Sequence, residues 1–122
     1  MHGRTHLDAP SIMQQTCPAR TIKIKTGCGS IYVIIVRDPE TSQQISVFAN
    51  LGKAGGCAAA QTETTCRLAT LAVEHGAGML DVARTLKGIS CSQPGSTCSS
   101  CSDAIAQAIE IDEEQETSEQ AT

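Results

Sequence analysis

The chain reads as a single α+β domain: a three-stranded antiparallel meander followed by three helices. Three observations lead there. Its 122 residues suffice for one modest core. Through the first half, apolar residues alternate with polar ones or cluster in β-branched runs. Beyond a glycine-rich stretch near residue 52, the apolar spacing lengthens to three and four, as on a helix face. Strands first and helices afterwards is the α+β order.

Residues 1–19 are polar and broken by Pro10 and Pro18, which predicts an irregular arm in which Ile12 and Met13 start at most a short helix. His2 and His6 in this arm read as solvated side chains. Thr21-Ile22-Lys23-Ile24-Lys25 alternates cleanly and predicts a half-buried strand. Gly27-Cys28-Gly29 predicts a turn, because glycine tolerates positive φ. Ile31 to Arg37 predicts the second strand, Asp38 to Thr41 a loop, and Ile45 to Ala49 the third strand. The glycine loop Leu51 to Gly56 then leads into a helix from Cys57 to about Glu74. Ala58, Leu68, Leu71 and Ala72 are expected on its buried face, with Glu63 and Arg67 as a surface pair four apart. Gly76 and Gly78 stop this helix, and His75 is expected to cap its end. Leu80 to Lys87 predicts a second helix with Val82, Ala83 and Leu86 inward and Gly88 as its stop. The third starts near Ser102 as N-cap, with Ile105, Ala108 and Ile109 apolar. The domain is thus expected over residues 20–110, followed by an acidic, disordered tail over 111–122.

Hydrophobic residues make up 40% of the chain but aromatics only 2%, so the core must be thin and aliphatic. Small domains of this kind usually need a staple, a disulfide or a metal. The N-terminal ten residues contain no apolar signal region, which predicts a cytoplasmic protein. The longest aliphatic run, Ile31 to Val36, is too short to span a membrane. Thiols in that compartment stay reduced, and seven cysteines cannot all pair internally, so metal binding or thiol chemistry outranks structural disulfides. The net charge is −4, yet six acids and no base lie from Glu110 onward, leaving seven acids against nine bases before it. The body lacks a dense basic stripe and has only Tyr32 and Phe48 for stacking, which argues against nucleic-acid binding.

Five cysteines fall in loops or at helix starts: Cys28, Cys57, Cys91, Cys98 and Cys101. Such positions let thiolates turn toward a shared point, as a tetrahedral zinc site with bonds of about 2.3 Å requires. Cys98-Ser99-Ser100-Cys101 is a C-x-x-C unit, which suits a metal or a dithiol redox pair. Cys17 in the arm and Cys66 in mid-helix stand outside the site, the latter as a small apolar side chain.

Four segments together resemble the successive motifs of the TSCPD family, found near the C-terminus of adenosylcobalamin-dependent (class II) ribonucleotide reductases. They are Thr26-Gly27-Cys28-Gly29-Ser30, Leu51 to Cys57, Leu86 to Cys91, and Ser99 to Ala106. The resemblance runs from about Thr21 to Ile109 and implies one cysteine per motif: Cys28, Cys57, Cys91 and Cys101. It therefore implies a four-cysteine structural zinc site, with Cys98 as an additional thiol able to compete for the metal. The family's Thr-Ser-Cys-Pro-Asp reads Ser99-Ser100-Cys101-Ser102-Asp103 here. The reductase's catalytic barrel has no counterpart in 122 residues, so the implied role is an accessory or interaction module. Its expected partner is a reductase catalytic chain or a nucleotide, and its oligomeric state stays open. Two other functions remain. Cys98 and Cys101 suit a thiol–disulfide carrier, and Gly52, Lys53, Gly55 and Gly56, leading into a helix, suit a phosphate-bearing ligand. That loop is no Walker motif, since no Gly-Lys-Ser/Thr closes it.

Overall fold

The computed structural model describes residues 15–27, 29–52, 56–90 and 100–121. Three strands, β1 (Ala19–Thr26), β2 (Gly29–Arg37) and β3 (Gln44–Leu51), form an antiparallel sheet in the order β1-β2-β3. Three helices follow: α1 (Gly56–Glu74), α2 (Met79–Leu86) and α3 (Cys101–Ala121). The expected α+β meander is what forms, with each strand starting one or two residues earlier than its sequence pattern suggested. His2, His6, Ile12 and Met13 lie outside the described residues.

Strand alternation divides the sheet into two faces. Ile24, Ile31, Val33, Ile35, Val47 and Leu51 point into the core, where Ala104, Ile105, Ala108 and Ile109 of α3 and Cys66 and Ala69 of α1 meet them. The β1–β2 hairpin turns with Gly29 at φ +116°, a conformation that strains any residue with a Cβ. A bulge between Val36 and Arg37 pairs Val36 with Ser46 but Arg37 with Gln44, leaving Ile45 as the extra residue. The bulge turns Gln44 from the outer face to the buried one.

Helix α1 departs from expectation in its facing. Thr62, Cys66 and Ala69 are buried, while Leu68 and Leu71 are 61% and 48% exposed. Small residues win the inner stripe because α1 must approach β3 closely. The Thr70 hydroxyl accepts the Val47 N–H at 3.1 Å and donates to the Val47 carbonyl at 3.3 Å, occupying edge-strand groups that another strand would otherwise pair with. The helix ends in a Schellman motif. Ala77 N–H bonds the Ala72 carbonyl and Gly76 N–H the Val73 carbonyl, with Gly76 at φ +105°. Gly76 therefore does the terminating work, and His75 follows the last turn as an exposed side chain. In α2, Ala83 is buried and Val82 and Leu86 pack against the core, as expected.

Helix α3 brings two corrections. Its N-cap is Ser100, not Ser102: the Ser100 hydroxyl accepts the Asp103 N–H at 3.0 Å, and the helix opens at Cys101. More consequentially, the acidic segment after residue 111 is no disordered tail. It continues α3 to Ala121, and Asp112 is among the most buried side chains of the protein.

Candidate functional site

The two ends of the sheet carry different chemistry. At the end where β1 starts and β2 finishes, Asp112 receives three partners. Its carboxylate accepts from Arg37 Nη2 at 2.7 Å, Arg20 Nη1 at 2.8 Å and Gln44 Nε2 at 2.8 Å. Gln44 also donates to the Ile109 carbonyl at 3.1 Å. Glu113 accepts from Arg37 at 3.0 Å and Glu119 from Arg20 at 2.9 Å. The charge on Arg20 opposes burial, but Asp112 and Glu119 outweigh that cost and raise its pKa above the ordinary value.

This network was not anticipated, although signals for it exist. Asp112 continues the apolar series Ile105, Ala108, Ile109 at helical spacing. Arg37 ends the inward alternation Ile31, Val33, Ile35. A charge at the close of an apolar series is a candidate buried partner, and these two close onto each other.

The opposite end gathers the cysteine motifs. The Ser30 carbonyl accepts the Gly52 N–H at 3.2 Å, so the hairpin tip lies beside the segment entering α1. Helix α1 then runs back along β3, with Thr70 beside Val47, so Cys57 in its first turn stays at the hairpin end. Helix α3 is anchored by Asp112 at the far end and buries Ala104, Ile105, Ala106, Ala108 and Ile109 in the core. Cys101, eleven residues before Asp112, is about 16 Å back along the helix axis, toward the hairpin end. The Asp103 carboxylate accepts the Gly88 N–H at 2.7 Å, which ties the chain three residues before Cys91 to the first turn of α3. The described residues beside Cys28, Cys57 and Cys101, and Gly88 three residues before Cys91, therefore lie toward one end of the sheet.

Of the expected ligands, Cys57 is exposed and Cys101 half-buried, whereas Cys28 and Cys91, like Cys98, lie outside the described residues. Among the described residues no group of three or more His, Cys, Asp or Glu side chains is placed to hold a metal. The expected set has only two described members, both at helix starts, where a thiolate is accessible and favourably oriented toward the positive end of a helix dipole. These two positions fit a thiolate-bound metal. Cys17 is half-buried in the residues leading into β1. Cys66 is buried, and burial pushes its thiol up to about 12 from the ordinary 9.0, so it stays protonated as an inert core side chain.

The glycine loop is less suited to an anion than its sequence implied. The Gly52 amide is already donated to Ser30. Gly56 opens α1 at φ +61°, which explains glycine there by backbone conformation alone. Lys53 and Gly55 lie outside the described residues. No helix among the described residues is long and apolar enough to cross a membrane.

The fold is thus a small α+β domain, a three-stranded antiparallel sheet followed by three helices. The sequence model of the TSCPD domain matches residues 10–113, and the chain belongs to this family, the domain found in the C-terminal regions of class II ribonucleotide reductases. The match ends one residue past Asp112, so it includes the anchor of α3. Comparison with curated proteins and with solved structures returned no match.

Proposed function

We propose that this ribonucleotide reductase-related module is an accessory and interaction domain stapled by a structural zinc bound to Cys28, Cys57, Cys91 and Cys101. The observation that supports it is that the described residues beside Cys28, Cys57 and Cys101, and Gly88 before Cys91, lie toward one end of the sheet. Four thiolates are the donor set a closed structural zinc takes, and such a metal supplies folding energy directly. When bound, it would tie the β1–β2 hairpin to the starts of α1 and α3. The module does no reductase chemistry by itself, and its partner is a reductase catalytic chain.

Elemental analysis of untagged protein tests the zinc. About one zinc per chain is expected. Serine at any of the four positions should release it and lower the melting temperature. Cys98→Ser should leave metal content and stability unchanged. A full zinc complement in both Cys57→Ser and Cys101→Ser would overturn the site.

The position of Cys101 as the first residue of α3 favours one second reading, a dithiol formed with Cys98. Under that reading Cys98→Ser abolishes reduction of a disulfide substrate, and purified protein carries no metal. Calorimetric titration with a class II reductase catalytic chain tests the partner, with deoxynucleotides as the competing ligand.

A further inference from the structure

Helix α1 and the edge strand β3 border a groove of about 750 Å³, lined by residues 47–51 of the strand and by helix residues from Ala59 to Glu74. Ala59 to Glu74 is about 22 Å of helix axis, the reach of about seven residues of extended chain. Two polar positions along it lack partners. Thr62 is 2% exposed, and its Oγ1 makes no hydrogen bond. A buried hydroxyl without a partner is costly and uncommon. The second position is backbone. The Gly52 N–H bonds the Ser30 carbonyl, so even-numbered residues of β3 form the hydrogen-bonded pairs with β2, and Val47 and Ala49 turn their N–H and C=O away from the sheet. Thr70 satisfies those of Val47. Those of Ala49 meet no partner among the described residues. Phe48 and Leu71 add exposed apolar surface. Of the charged groups lining the groove, Glu63 pairs with Arg67, whereas Glu74 has no ion pair among the described residues.

We propose that this groove takes an extended segment of a partner protein, alternately apolar and carrying one basic residue, as a short added strand beside β3. The groove gives the interaction domain proposed above a surface, and its assignment rests on that reading but not on the zinc. The segment's backbone exchanges hydrogen bonds with the outward N–H and C=O of Ala49, the open part of an edge that Thr70 closes at Val47. The Thr62 hydroxyl, which can rotate, supplies a further donor and acceptor at the helix side. Apolar side chains cover Phe48 and Leu71, and the basic residue meets Glu74. Length selects an extended ligand over a compact one. The unpaired carboxylate selects a basic segment over an acidic one. Helix α1 stands along the same edge, bonded to it through Thr70, and bars the β3 edge of a second copy, so a single thin segment is the occupant that fits.

Selection from a random heptapeptide library on the full chain, followed by calorimetric titration of the selected peptides with blocked ends, tests this. Enrichment of alternately apolar sequences containing Lys or Arg is expected. Thr62→Val removes the unpartnered hydroxyl at nearly constant shape. It should leave the urea midpoint of the free protein unchanged or raised, while weakening peptide binding by up to about tenfold. Glu74→Gln should weaken binding about threefold, most at low salt. A strand pairs with β3 along one edge only, so methylating alternate peptide amides should abolish binding in one phase and spare it in the other. No enriched sequence, an acidic consensus, affinity unchanged in Thr62→Val, or equal affinity of the two methylated phases would overturn the proposal. So would a dimer in sedimentation equilibrium that Glu74→Lys dissociates, since a second copy would then fill the groove. A reductase catalytic chain that binds equally to wild type, Thr62→Val and Glu74→Gln would remove the groove and leave the interaction reading standing.

Discussion

The two ends of the sheet solve the same problem by different means. At the Asp112 end, α3 is fastened to all three strands through one carboxylate, by ion pairs to Arg20 from β1 and Arg37 from β2 and a hydrogen bond from Gln44 of β3. At the hairpin end, the described links are single hydrogen bonds, Gly52 to Ser30 and Gly88 to Asp103, amid glycines and cysteines. A buried, multiply paired carboxylate fixes a helix without any ligand, but it cannot be dismantled piecemeal. The zinc proposed above would add a fastening of a different kind at the hairpin end. The difference teaches that one sheet is finished with different residue types at its two ends, charged side chains at one and glycines and cysteines at the other.

The sharpest way to break this comparison is at Asp112. Asp112→Ala removes the most buried carboxylate that Arg37 and Arg20 share and leaves Arg37 only the more exposed Glu113 and Glu116, so a loss of up to about 3–5 kcal/mol in urea unfolding is expected. Truncation after Ile111 removes Asp112, Glu113, Glu116 and Glu119 together and should cost at least as much. A truncated chain with an unchanged urea midpoint would show that the docked helix contributes nothing. The hairpin end is probed by a chelator, which should lower the melting temperature of the zinc-loaded protein. Because the ends lie well apart, the chelator's effect and that of a milder Asp112→Asn change should add to within about 0.5 kcal/mol. Strong non-additivity would mean that the two ends form one cooperative network.

A smaller effect comes from Cys66, between the two ends. Its thiol stays protonated in the fold up to about 12, against 9.0 ordinarily. Between those values the unfolded chain has lost a proton that the folded one keeps, so stability falls as pH rises through this window. The contribution is fully present below the lower value. Urea midpoints should therefore decline more steeply from pH 9 to 12 in the wild type than in Cys66→Ala. Parallel declines would show that Cys66 is not the group responsible. The smallest change is expected at the exposed pair of Glu63 and Arg67 on α1. Glu63→Gln should move the unfolding free energy by no more than about 0.5 kcal/mol, and a larger shift would reveal a contact beyond that pair.

Element types and order were legible in the sequence because they follow from local signals. The alternation of Thr21 to Lys25, the glycines at 27 and 29, and the stops at Gly76 and Gly88 each act within a few residues. The proposed four-cysteine set rests on the family resemblance and not on the long spacings, since spacing says nothing about where a loop returns. The face of α1 was misjudged for a related reason. Leu68 and Leu71 are the larger apolar side chains, but the space between α1 and β3 admits only Thr62, Cys66 and Ala69.

What the sequence determined by itself was a β-meander, three helices and cysteines at the starts of two of them, because periodicity, turn residues and capping groups act over one or two turns of chain. Only the tertiary structure decided the fate of the acidic end. A run of carboxylates without neighbouring bases repels itself and looks disordered when considered alone. Across the fold, however, Arg20 and Arg37 stand 92 and 75 residues away from Asp112 in sequence and within hydrogen-bonding reach in space. Their guanidinium groups turn the run into a docked helix, because partial burial strengthens their attraction for the carboxylates while Gln44 satisfies an oxygen of the most buried one.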